Sequence, residues 1–92
     1  MQYVWDPAKD VLNQRKHGLS LAEGILALED PDRDSLIDDR FDYGEERIIT
    51  LGMALQCVLY VVSTEWDEET IRIISVRKAD RDEVERYGCS NS

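Results

Sequence analysis

The chain has 92 residues, enough for one small domain and one core. Its 11 Lys and Arg against 20 Asp and Glu give a net charge of −9, and 42% of residues are apolar. That composition excludes a disordered chain, and no apolar run reaches the roughly 20 residues of a membrane helix. The opening Met-Gln-Tyr-Val-Trp-Asp has no basic region before an apolar stretch, so no signal peptide is expected. Cys57 lies in an apolar run and Cys89 in a polar tail, which is no disulfide framework; a reducing, cytoplasmic setting is expected. There is no Cys/His spacing for zinc, and the single His17 cannot anchor a multi-histidine site, so no metal and no cofactor are expected.

Residues 2–5 alternate weakly and predict a short strand. Asp6-Pro7 opens a helix as N-cap and first-turn proline, and Gly18 closes it as a left-handed cap. Spacing of 3.6 residues puts Ala8, Val11, Leu12 and Arg15 on its inner face. Ser20 to Glu23 reads as a capping box starting a second helix with an inner stripe of Leu21, Ala22, Ile25, Leu26 and Leu28. Asp30-Pro31 stops it. Strands are expected at 35–37, 47–51, 57–64 and 71–76, with 52–56 and 66–70 as turns. Asp80 to Glu83 repeats the cap pattern for a last helix that runs to Tyr87 and ends at Gly88, followed by a frayed tail at 89–92. The order is β-α-α-β-β-β-β-α, a single α+β domain over 1–88 with a small antiparallel sheet packed against helices.

Charge is uneven. Residues 29–46 hold nine acids and two arginines, read either as a solvated loop and edge strand or as a docking surface for a basic partner. Residues 71–81 carry Arg72, Arg77, Lys78 and Arg81 against Asp80. Cations where a strand ends and a helix begins form a candidate phosphate site; they can equally solvate the strand end or pair with nearby acids. Regular alternation puts Arg72 with Lys78 on one face and Arg77 on the other. A Glu65–Arg72 pair is feasible across the hairpin, as a structural bridge or an acid–base pair. Arg15-Lys16-His17-Gly18 ends a helix, where cations favour the dipole, although His17 is also a candidate proton donor. Tyr60 and Tyr87 suit either the core or stacking on a base.

Val4-Trp5-Asp6-Pro7-Ala8-Lys9, Asn13, Lys16-His17-Gly18 and Ser20 with Glu23 resemble the opening of the BrnT family of bacterial toxins. Gly44-Glu45-Glu46-Arg47 and Gly52 resemble its middle. Val61-Val62, Thr64-Glu65, Arg72-Ile73-Ile74-Ser75, Arg77-Lys78-Ala79 and Glu85-Arg86-Tyr87 resemble its close; Val76 stands where alanine is usual. The resemblance implies a RelE-like fold and the ribonuclease toxin of a type II toxin–antitoxin pair. It also implies a BrnA-type ribbon-helix-helix antitoxin, through which the complex contacts and represses its own operon. On this reading RNA is the substrate and translation is inhibited. Arg72, Arg77, Lys78, Glu65 and His17 are the candidate catalytic residues, with Arg47, Arg81 and Tyr87 as candidate RNA contacts. The competing reading is a catalytically weak module that mainly complexes a DNA-binding antitoxin.

Overall fold

The longest strand, Cys57–Asp67 (β4), lies at the centre of the sheet, as its almost unbroken apolar run requires. A computed structural model of the chain describes residues 1–39 and 44–90. Around β4 are Gln2–Val4 (β1), Asp34–Asp38 (β2), Arg47–Ala54 (β3) and Thr70–Lys78 (β5), in the order β1-β5-β4-β3-β2. Four strands are antiparallel, as expected. The fifth makes the sheet mixed: β1 joins β5 in parallel, with Gln2 opposite Thr70 and Val4 opposite Arg72. The strand at 2–4 leads into a helix, not a hairpin, so it can reach β5 only by a crossover, which permits parallel pairing.

Local signals set the helices. Pro7–His17 (α1) is capped by Asp6, which accepts from the Ala8 N–H at 2.9 Å, and closed by Gly18 at φ 73°. A 3₁₀ turn, Leu21–Glu23, leads into Gly24–Leu28 (α2), with the Glu23 carboxylate accepting from the Ser20 N–H. Arg81–Ser90 (α3) begins with Asp80 and Glu83 each accepting the other's backbone N–H. It continues two residues past Gly88, where the sequence suggests a stop; residues 91–92 lie outside the described residues.

The main core lies between one face of the sheet and the α2 region: Leu21 and Ala27 meet Ala54, Leu59, Val61, Ile73 and Val76. The expected stripe of α2 is only partly used, because the helix is five residues long and approaches the sheet through Gly24 and Ala27; Ala22 and Leu26 are exposed. A Cβ on Gly52 would fall 2.2 Å from the Ala27 carbonyl oxygen, so β3 and α2 touch backbone to backbone. Gly52→Ala is therefore expected to lower stability by about 3 kcal/mol, read as a shift in urea midpoint, since the obstacle is main chain and cannot rotate away. An unchanged midpoint would mean that α2 does not sit this close. A smaller cluster, Leu51, Val58 and Tyr87 with Tyr60 and Ala79, holds α3 on one end of the other face.

The expected inner face of α1 is not buried: Ala8, Val11, Leu12 and Arg15 are exposed, and the buried residue is Asn13. The reason is position. Among the described residues no strand lies beside the outer edge of β5 beyond Arg72, and α1 runs along that edge. The Asn13 amide donates to the Val76 carbonyl (2.9 Å), accepts from the Val76 N–H (3.1 Å) and donates to the Leu19 carbonyl (2.8 Å). One side chain thus supplies the pairing that a neighbouring strand would have given.

Candidate functional site

Arg72 and Arg77 are five residues apart, which regular alternation would place on opposite faces. A bulge in β5 changes this. Val62 pairs with Ser75 and Ser63 with Ile73, so Ile74 is skipped in the register. Ile73 and Val76 consequently share the main core, while Arg72 and Arg77 both fall on the second face. Lys78 follows Arg77 and takes the opposite face, lining an apolar recess with Leu19, Leu26, Leu55 and Leu59. The expected grouping of Arg72 with Lys78 is thereby corrected to Arg72 with Arg77.

The two arginines share a face but not a point. Four residues of β4 separate their partners Thr64 and Tyr60, about 13 Å at strand spacing. Arg77 is already engaged. Its guanidinium donates to both Glu83 carboxylate oxygens at 2.8 and 2.9 Å and lies over the Tyr60 ring at 3.8 Å from the centroid. It ties the start of α3 to the sheet. The Arg77 hydrogen bonds are the main reason the Glu83 carboxyl is held below its ordinary value of 4.5; burial opposes this, and the Asp80 N–H assists. A lowered carboxyl stabilises the fold above its unfolded-state value, and that contribution disappears as pH falls through the folded value. Between about pH 5 and about pH 3 the parent chain should lose roughly 1–2 kcal/mol that a Glu83→Gln variant lacks, measured by urea unfolding across pH. Parallel pH profiles would remove the pair from the account of stability.

Other anticipated groups prove structural or separate. Tyr87 is buried, and its hydroxyl donates to Asp30. Asp30 also accepts from the Met53 and Asp32 N–H groups. Burial works against its charge, but these bonds together hold its carboxyl below the usual range. Arg86 pairs with Asp34 at 3.0 Å. Two acids of the 29–46 stretch therefore anchor α3; residues 40–43 of that stretch lie outside the described residues. Arg81 is 92% exposed and 3.6 Å from Glu85. Glu65 pairs with Ile71, not Arg72, and so faces the other side of the sheet; a second register shift at Trp66 removes the expected Glu65–Arg72 pair.

Arg72 remains a cation on the second face outside a carboxylate clamp. Its guanidinium lies over the Trp66 ring, 5.6 Å from the centroid. Arg47 lies on the same face, beside Glu45 at 3.7 Å. The two strands flank Thr64, whose hydroxyl donates to the Glu46 carbonyl at 2.7 Å; two strand spacings put the Arg47 and Arg72 backbones about 10 Å apart. Next along β5, Ile74 and Ser75 form a recess of about 200 Å³ with Lys9, Leu12, Lys16 and His17 of α1. The edge position of α1 thus gathers Lys9, Lys16 and His17 against Ile74 and Ser75, while Arg72 lines a separate recess with Trp5 and Trp66. Sequence reasoning missed Lys9, Lys16, Ser75 and Trp66. The 9-13-16 spacing places Lys9, Asn13 and Lys16 on one side of α1, but in a helix this polar the spacing alone does not single them out.

A model of the family described as ribonuclease toxin, BrnT, of type II toxin–antitoxin systems matches residues 5–83. No curated protein matches the sequence. Among solved structures, the chain is similar to the crystal structure of the Brucella abortus ribonuclease toxin BrnT, at 23% identity and a TM-score of 0.65, covering 88% of this chain and 99% of that one. This likeness concerns the fold: an α+β unit with a five-stranded mixed sheet and three helices.

Proposed function

This chain belongs to the BrnT family of ribonuclease toxins of type II toxin–antitoxin systems, and from that membership we propose that it cuts RNA without a metal ion, at the sheet face carrying Arg72. As a type II toxin it has an antitoxin partner. The finer reading is a ribbon-helix-helix antitoxin that silences the toxin and carries the complex to operon DNA, with cytoplasmic RNA cleavage blocking translation.

The observation that supports the site is that Arg72 and Arg47 share one sheet face, while Lys9, Lys16 and His17 of α1 line a recess with Ile74 and Ser75, the next residues along the Arg72 strand. In the reaction proposed, the ribose 2′-oxygen bonds to the adjacent phosphorus as its proton leaves to a base. The P–O5′ bond breaks, and the 5′-oxygen takes a proton. Arg72 matches two phosphate oxygens and stabilises their growing charge, with Arg47 assisting. Lys9 and Lys16 hold flanking phosphates, and His17 carries the proton, since an imidazole can both accept and donate one. Arg77, Arg81, Tyr87 and Glu65 stand outside this chemistry, and Lys78 lies on the far face.

Expression without the antitoxin tests the reading: growth arrest and fragmented RNA are expected, and purified protein should cut RNA in excess chelator. Arrest without cleavage, or cleavage abolished by chelator, would overturn it. The binding-module reading draws on the −9 charge and the neutralised Arg77, and would be favoured by a tight antitoxin complex with no cleavage at micromolar protein.

A further inference from the structure

The two tryptophans of the chain, Trp5 and Trp66, line one recess of about 500 Å³ with Gln2, Val4, Thr70 and Arg72. Its volume falls in the range of small-ligand clefts. Packing explains Trp5, which is half-buried against the main core. It does not explain Trp66, which is 62% exposed on a strand whose earlier residues are mostly buried. Trp66 sits at the register shift between Glu65 and Asp67, and a bulge there aims its indole at the recess.

From this arrangement we propose that the recess receives one unpaired base of single-stranded RNA, stacked on Trp66. The inference rests on the nuclease reading and adds to it where the substrate is gripped. Arg72 lines the recess and lies over the indole, so a base stacked there hands its phosphate to the same guanidinium. The Gln2 amide supplies a donor and an acceptor for a base edge. Asp67 and Asp6 stand on the rim but spend carboxylate oxygens on the Glu69 and Ala8 N–H groups. Each anchors the local chain and discourages a bare phosphate from settling deeper than Arg72. Double-stranded RNA cannot enter, because its bases are already stacked on one another.

Every indole in the protein reports on this recess, so intrinsic fluorescence reads the site directly. The probe is a single-stranded RNA hexamer, 2′-O-methylated throughout so that it cannot be cut. Saturable quenching is expected, with none from the same sequence as a duplex. Trp66→Ala should weaken hexamer binding, followed by anisotropy of a dye on the RNA, by about 5- to 150-fold, while Trp66→Phe retains most of it. Absence of quenching, or equal affinity of Trp66→Ala and the parent, would overturn the base site. So would quenching produced by the antitoxin and not by RNA, which would make the recess a protein contact. Quenching by the hexamer in a protein that never cuts RNA would sink the nuclease reading and keep the base site; cutting without quenching would do the reverse.

Discussion

Replacing Asn13 with aspartate is expected to lower the unfolding free energy by about 4 kcal/mol, a large part of what a domain of this size possesses. Asparagine is required because the position needs both a donor and an acceptor. Its nitrogen satisfies the Val76 and Leu19 carbonyls and its oxygen satisfies the Val76 N–H. A carboxylate keeps the second function and loses the first. It also brings a negative charge against two carbonyl oxygens at a site that is only 6% exposed. Urea unfolding at neutral pH checks the size of the effect. Its pH dependence checks the cause: the penalty should shrink in acid, where a protonated carboxyl can donate one of the lost bonds. Asn13→Leu, with the same branching but bulkier and without hydrogen bonds, should cost about 3 kcal/mol with no such pH dependence. A penalty under about 1 kcal/mol for both variants would show that α1 is not bonded to the β5 edge as described.

The second large effect separates two arginines that look equivalent in the sequence. Arg72→Ala should reduce RNA cleavage by about 10²- to 10³-fold, the usual loss when a group facing the transition-state charge is removed. Stability should fall by less than about 1 kcal/mol, because only the stack on Trp66 is lost. Arg72→Lys should recover part of the activity, since an ammonium gives charge without the bidentate fork. Arg77→Ala should do the opposite. It leaves Glu83 without its partner and strips the Tyr60 ring, costing about 2 kcal/mol of stability, while folded molecules keep their activity. Cleavage per folded molecule against the unfolding midpoint, for both variants, decides the matter. If Arg77→Ala is the inactive one, the site lies at the α3 end of the sheet and the assignment is reversed.

The parts of the fold readable in the sequence are those fixed by short-range chemistry. Asp6-Pro7 and Gly18 bound α1, Glu23 caps the turn before α2, Asp80 and Glu83 cap α3, and the valine-rich run at 57–64 marks the central strand. What escaped depends on relations between distant residues. The skipped Ile74 has no composition of its own, yet it decides which cations share a face. Counting by twos therefore put Arg72 beside Lys78. The inward side of α1 was misjudged because apolar periodicity assumes a helix lying on a hydrophobic surface. This helix lies along a strand edge, where peptide groups need partners, and Asn13 serves better than Leu12. For the candidate site, Arg72, Arg47 and His17 are evident as residue types; the engagement of Arg77 by Glu83 and the opposite facing of Lys78 and Glu65 are not.

The parallel pairing of Gln2–Val4 with Thr70–Arg72 brings residues far apart in sequence to one place. Trp5 comes from the first turn after β1, while Trp66 and Arg72 arrive some sixty residues later. No hairpin or helix pair contains the recess, and neither does a fragment that lacks β1 or residues 66–72. It exists only once the slowest and most distant loop has closed, so its appearance should coincide with the final folding phase. A single nick between β1 and β5 that lets the pieces drift apart would therefore take the recess apart, and with it the base site proposed there.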